Sequence, residues 1–140
     1  FGLKCNDLWE FSFNKNEWSK IPTLGTPPER YHHSAVVFEG SLYVFGGFQG
    51  YDDLYEYRFG SRTWSVVNTK GAPPNPRWGH RAVTVKRYMF VFGGCDLVIN
   101  YNDVHRYHFD TGRWEKLPGG GYTQGYFQTA VVYNDRIYIF

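Results

Sequence analysis

Arg30-Tyr31-His32-His33-Ser34-Ala35-Val36-Val37-Phe38-Glu39-Gly40-Ser41-Leu42-Tyr43-Val44-Phe45 decides the fold, because the chain writes this pattern twice more. Residues 77–92 and 125–140 lie over it without a gap, at offsets of 47 and 48 residues. Each copy has a small residue at Ala35, Ala82 or Ala130, then β-branched residues, then an aromatic ending: Tyr43-Val44-Phe45, Phe90-Val91-Phe92 or Tyr138-Ile139-Phe140. Chance does not readily produce three such copies, and internal repetition at this period is a signature of repeat architecture.

Each copy splits into two short strands joined by two hairpin residues, Glu39-Gly40, Lys86-Arg87 or Asn134-Asp135. The first strand is A. The second, B, is apolar throughout in Leu42-Tyr43-Val44-Phe45, as a strand covered on both faces requires. Outward from these, strand C alternates with period two. Trp9, Phe11 and Phe13 share one face against Glu10 and Ser12, and Tyr55, Tyr57 and Phe59 oppose Glu56 and Arg58. His105, Tyr107 and Phe109 repeat the pattern, with His105 its least apolar member. One buried face is expected for each. After a four-residue turn a Trp opens strand D, at Trp18, Trp64 and Trp114, always seven residues beyond Phe11, Tyr57 or Tyr107.

Four short antiparallel strands per fifty residues, with recurring aromatic landmarks, describe a propeller blade better than a sandwich. The expected fold is all-β, with ten strands and no helix longer than a turn. Residues 1–21 supply strands C and D of one blade, 30–67 and 77–117 are whole blades, and 125–140 supply strands A and B of a further one. That makes about three blade equivalents, fewer than a closed ring needs. The remaining blades are expected from sequence outside this chain or from a second copy.

Composition narrows the function classes. The formal net charge is +2 and no run of Lys or Arg exceeds two residues, so the electrostatic footprint of a nucleic-acid binder is missing. Apolar runs such as 35–38 and 89–92 are too short to span a bilayer, and no secretory pattern opens the chain. The expectation is a soluble, cytoplasmic protein. Cys5 and Cys95 have neither disulfide nor zinc spacing, which mildly favours a reducing compartment.

Gly46-Gly47 and Gly93-Gly94 after strand B, Asp53-Leu54 and Asp103-Val104 before strand C, and the Tyr and Trp seven apart resemble the kelch repeat. The resemblance covers essentially the whole chain. Two departures are Phe1-Gly2-Leu3, which lacks a second Gly, and Phe140, where a third Gly-Gly would begin. Thr26-Pro27-Pro28-Glu29-Arg30-Tyr31-His32-His33-Ser34-Ala35-Val36-Val37 is similar to repeats of the leucine-zipper-like kelch adaptors of cullin ubiquitin ligases. The family resemblance implies a ring of about six blades that binds partner peptides through the start of strand A and the B-to-C loop.

Strict antiparallel alternation gathers the D-to-A and B-to-C connections on one face, at residues 22–29, 48–52, 68–76, 95–102 and 118–124. Variable loops on a rigid scaffold are where binding usually resides. The candidate partner-binding residues are Arg30, Tyr31, His32, Gln49, Tyr51, Arg77, Trp78, Tyr101, Tyr126 and Phe127, on the expectation that they are exposed; Arg and aromatic residues are enriched in binding hot spots. The third copy has Gly125 in place of Arg, so a basic pocket would be lopsided.

Other recurring features read as scaffold. The three Trp serve packing, the Gly-Gly pairs serve positive φ or close blade contact, and Asp7, Asp53 and Asp103 form turns. Arg30 and Arg77 also recur, so a structural role in bonding loop carbonyls stands beside the binding role. His32, His33 and His80 fall at repeat positions rather than in a ligand cluster, and His105 and His108 point to opposite faces of their strand, so no metal or other cofactor is expected. Nothing resembles a nucleophile with its base, the copper site of a galactose-oxidase-like enzyme, or the full sialidase turn. The expected function is non-enzymatic: a module holding a protein or peptide ligand, with a ubiquitin-ligase substrate receptor as one form of it. A purely structural propeller and a metal-dependent oxidase are the alternatives.

Overall fold

The computed structural model describes residues 5–118 and 125–140. The departure at Phe1-Gly2-Leu3 and residues 119–124 of the last loop lie outside them.

Two complete blades occupy the centre. In the first, β3 (Ser34–Phe38), β4 (Ser41–Phe45), β5 (Leu54–Arg58) and β6 (Thr63–Val66) form a four-stranded antiparallel sheet in chain order. In the second, β8 (Arg81–Val85), β9 (Tyr88–Phe92), β10 (Val104–His108) and β11 (Arg113–Lys116) repeat it. They are flanked by the hairpins β1 (Leu8–Ser12) with β2 (Glu17–Ile21) and β12 (Ala130–Tyr133) with β13 (Arg136–Ile139). The described residues hold thirteen strands, not the expected ten: two whole blades and two flanking strand pairs already amount to twelve, and β7 (Lys70–Gly71) is the thirteenth. β7 runs parallel to β11 on the outer edge of the second blade, so the D-to-A connection stitches one blade to the next. Leu24 makes the corresponding parallel bridge to Thr63 one repeat earlier.

Local sequence accounts for the turns. Each C-to-D turn places its third residue, Asn16, Arg62 or Gly112, at φ 54, 56 or 64 and returns that N–H to the carbonyl of Ser12, Arg58 or His108. The A-to-B hairpins use positive φ at Glu39-Gly40 and Asn134-Asp135, the backbone that suits a two-residue turn between right-twisted strands.

The core lies between the two complete sheets. Val36, Phe45 and Leu54 of one blade meet Met89, Val91, Tyr107 and Trp114 of the next. The strand-D tryptophans show which way each blade leans: Trp114 is 1% exposed and packs on Phe45 of the preceding blade, ring centres 5.3 Å apart. Trp64 is half-buried, and Trp18, with no described blade ahead of it, is 66% exposed. The same reason corrects the expectation of a buried strand-C face in the first half blade, where Trp9 and Phe13 are exposed. The end hairpins remain two-stranded and are not paired with each other.

Strands A form the inner rim, with β3 beside β8 and β8 beside β12. There the Gly-Gly pairs have their function. Gly47 N–H donates to the Arg77 carbonyl at 3.0 Å, and Gly94 N–H to the Gly125 carbonyl at 2.9 Å, each bond crossing from one blade to the next. One step along, Gly79 N–H donates to His32 and Phe127 N–H to Gly79, so three repeat-equivalent residues form a chain of bonds across three blades.

His80 sits behind that rim, fully buried, with Nε2 2.7 Å from Ser34 Oγ. Burial, reinforced by the nearby Arg77 charge, lowers its pKa from 6.5 to about 3. The unfolded chain therefore takes up a proton as pH falls below 6.5 while the native state does not until near 3. Stability present above pH 6.5 should be lost through that window, by up to about 1.4 kcal/mol per pH unit. Gln128 occupies the same repeat position, so His80→Gln is the conservative variant. A pH series of thermal melts from 7 to 4 should be flatter for it than for the parent.

Candidate functional site

The two repeated arginines are not on display. Arg30 and Arg77 are 5% and 1% exposed. Each guanidinium grips the carboxylate that precedes strand C of its own blade in two-pronged fashion: Arg30 to Asp53 at 2.6 and 3.0 Å, Arg77 to Asp103 at 2.6 and 3.2 Å. Each also donates to the carbonyl of the first Gly in its Gly-Gly pair, Gly46 or Gly93, at 3.0 Å. Tyr51 and Tyr101 lie against the guanidiniums, 4.4 and 4.0 Å from ring centre to cation. The expectation that Arg30, Arg77 and Tyr101 are exposed is thus corrected. A cation and a carboxylate fixed at the same two places in both complete blades satisfy each other, and the ion pair clamps the B-to-C loop onto strand A. The structural role anticipated for the arginines is the one seen. Asp53 and Asp103, expected to shape turns, are the other half of the clamp.

Burial raises the Asp103 carboxyl, but the hydrogen bond from His105 Nε2, at 3.0 Å, and the bonds and charge of Arg77 outweigh it and hold the group well below the usual carboxylate range. His105, the weak member of its strand pattern, is buried for this purpose, and its Nδ1 lies 3.1 Å from the Ala72 carbonyl.

With Arg30 and Arg77 spent inside, the start of strand A presents aromatic rings. Tyr31, Trp78 and Tyr126 are repeat equivalents on three neighbouring blades, and His32 and Phe127 stand at the next position. Tyr31 stacks on Phe48 at 4.9 Å, Phe48 meets Trp78 at 5.6 Å, and Trp78 meets Phe127 at 5.8 Å and Tyr126 at 6.1 Å. The His32 ring lies 4.6 Å from Phe127. Tyr126 and Phe127 are half exposed and His32 is exposed, so the sequence-selected residues Tyr31, His32, Trp78, Tyr126 and Phe127 do come together. Gln49 stands exposed beside them at φ 89.

Two of these rings occupy costly backbone. His32, Gly79 and Phe127 share the left-handed region at φ 59, 65 and 59. Glycine is the natural residue there; a bulky side chain is an outlier at a cost of about 1–2 kcal/mol.

Next to the rings the B-to-C loop of the second blade raises Leu97, Val98 and Ile99, which are 84%, 91% and 50% exposed. Sequence reasoning missed them, although three apolar residues inside a loop were a signal. Asp96 holds the tip rigidly. Its carboxylate accepts from the Val98 and Ile99 N–H groups at 2.7 and 2.6 Å and from the Tyr101 hydroxyl at 2.6 Å, and these bonds, Tyr101 foremost, lower its pKa. Between this loop and residues 48–50 lies a cleft of ≈ 560 Å³, floored by Trp78. It falls in the size range of small-ligand and side-chain pockets.

Fold and face together define a segment of a blade-repeat propeller whose loop side offers a cluster of aromatic rings. Residues 2–140 match the profile of the KLHDC2/KLHL20/DRC7 Kelch-repeats domain, and the chain belongs to that family. It is 48% identical over 46 residues to the leucine-zipper-like transcriptional regulator 1 homolog of Drosophila melanogaster, which is 32% of this chain and 5% of that protein. It is 30% identical over 122 residues to Kelch domain-containing protein 10 of Xenopus tropicalis, covering 81% of this chain and 30% of the relative. A third similarity, 34% over 110 residues, is to Ras guanine nucleotide exchange factor F of Dictyostelium discoideum, covering 75% and 10%. The chain spans less than a third of the length of each of these relatives.

Proposed function

We propose that this chain is a protein-binding module that engages its partner on the loop face, through the ring cluster of Tyr31, His32, Phe48, Trp78, Tyr126 and Phe127. The observation that carries the reading is Phe127 in left-handed backbone at φ 59, half exposed, where the neighbouring blade has Gly79. A side chain kept at an energetic cost where it adds little to the core points to a use outside the fold. Kelch membership supports the same reading by analogy.

Binding rather than catalysis is the proposal. One Ser–His pair does occur, but Ser34 and His80 are 7% and 0% exposed, and a base whose pKa is pressed to about 3 is a poor proton acceptor for Ser34. A substrate receptor of a cullin ubiquitin ligase is the finer form of the reading. It rests on the resemblance of residues 26–37 and on the 48% match over 46 residues, and co-purification of a cullin with the protein from its source cells would test it.

Phe127→Gly separates binding from folding. Removing the ring relieves the strained backbone, so the melt should stay within a few degrees, while capture of partner protein from extract of the source cells should drop about tenfold or more, as for loss of an aromatic hot spot. Lys86→Ala, whose exposed side chain pairs with Asp135 on the opposite face, should leave capture unchanged. Undiminished capture by Phe127→Gly would overturn the assignment of the face.

A further inference from the structure

We propose that the cleft between residues 48–50 and 96–98 takes an uncharged, apolar segment of the partner, anchored by a bulky aliphatic or aromatic side chain laid on Trp78. This rests on the binding reading above and specifies the chemistry of its ligand.

The argument is one of charge complementarity. A groove that selects an acidic peptide needs a guanidinium or ammonium with unspent hydrogen-bond donors. Arg77 is at the cleft wall, yet it is 1% exposed and committed to Asp103, the Gly93 carbonyl, the Asn75 carbonyl and the face of Tyr101. A groove that selects a basic peptide needs an unspent carboxylate. Asp96 is the acid at the wall, and it already accepts from two backbone N–H groups and the Tyr101 hydroxyl. What the cleft has to offer is Phe48, Trp78, Leu97 and Val98. An acidic ligand would surrender its hydration there beside the Asp96 charge with no free cation to meet it, and a basic one would have to compete for a carboxylate that already accepts three bonds, whereas an apolar one gains by burial. Leu97 and Val98, standing 84% and 91% exposed on a tip fixed by Asp96, would lose most of their water contact as such a segment docks. The geometry also suits an extended segment: the Trp78 floor continues into Phe127 and Tyr126, so a residue following the anchor would lie on the exposed rings.

Titration calorimetry on the full chain tests this with short blocked peptides that differ only at the centre: Leu-Trp-Leu, Asp-Glu-Asp and Lys-Arg-Lys. The apolar peptide should bind about tenfold or more tightly than either charged one. Its affinity should be nearly the same at about 50 mM and 500 mM salt, since no ion pair is made. Leu97→Asp, at a side chain with no share in the core, should abolish that preference and leave the melt unchanged. Equal or tighter binding of the acidic peptide would mean that an arginine is reachable, and equal or tighter binding of the basic one that Asp96 is the recognition group. Either result overturns the proposal, as does failure of the apolar peptide to bind or indifference to Leu97→Asp. If these fail while Phe127→Gly still loses partner capture, the face stands and the ligand chemistry falls; if capture is also unaffected, the binding reading falls with it.

Discussion

Replacing Arg77 by alanine is expected to cost about 3–5 kcal/mol of folding stability, the largest effect of any side-chain truncation considered for this chain. The change removes a fully buried cation and leaves the Asp103 carboxylate, whose side chain is only 15% exposed, with His105 and the more distant Lys116 as its remaining partners. It also orphans the Gly93 carbonyl at the start of the B-to-C loop. Such a loss is a large share of the stability of an ordinary domain. Arg77→Lys should recover little of it, because an ammonium cannot bond both carboxylate oxygens and the glycine carbonyl from one planar group. The sign of the pH dependence is a further check. In the parent, Asp103 stays ionised far below its unfolded pKa, so the clamp contributes at neutral pH and is lost only as pH falls through the carboxylate range and below. In Arg77→Ala, burial is left with less to oppose it, the carboxyl pKa rises, and protonation relieves the stranded charge; the deficit relative to the parent should therefore shrink as pH falls from 7 toward 4. Chemical denaturation of parent, Arg77→Ala, Asp103→Ala and the double variant measures it. Additive losses would show that the pair is not coupled and would return Arg77 to the candidates for direct partner contact.

Why the arginine role was only half visible is instructive. Arg30 and Asp53 are 23 residues apart and Arg77 and Asp103 are 26, a separation that no local rule constrains. Recurrence was the available signal, since the same two residue types return together in both complete blades, and read jointly they describe a clamp. Read singly, an Arg at the mouth of a loop face looks like a ligand anchor. The blades themselves were legible because strand alternation and hairpin residues are local. The tryptophans were legible because identical residues at identical phase must serve the repeat, and Trp114 packs on the preceding blade as that logic requires. The left-handed backbone at Phe127 gave no sign of its own; only its alignment with Gly79 carries the information, and φ is what turns that alignment into an energetic statement. The Leu97-Val98-Ile99 tip was not legible in this way because it has no counterpart in the B-to-C loop of the preceding blade, so neither repetition nor strand alternation marks it. Its rigidity depends on Asp96 turning back on the next residues, which spacing alone does not reveal.

The seam between blades yields the second large effect. Gly94→Ala is expected to destabilise by about 2–4 kcal/mol, from an unfavourable backbone and a steric clash acting together. Gly94 sits at φ 84, a conformation side chains rarely adopt, and a Cβ there would come within 2.7 Å of the His80 Cβ, 2.8 Å of the Trp78 carbonyl oxygen and 2.9 Å of the His80 nitrogen. Two of those three contacts are with backbone, so no rotamer change relieves them. The glycine cannot simply retreat either: its N–H donates to Gly125 of the next blade and its carbonyl accepts from Tyr101, so moving it would open the seam and loosen the 95–101 loop together. Gly40→Ala is the matched control. It has φ 77 but nothing within 4 Å of the added carbon, and so carries the backbone cost of about 1 kcal/mol without the clash. The difference in unfolding free energy between the two alanine variants isolates the close approach of the blades. A Gly94→Ala loss no larger than that of Gly40→Ala would mean that the blades do not meet as closely in solution as the hydrogen bond from Gly94 to Gly125 requires.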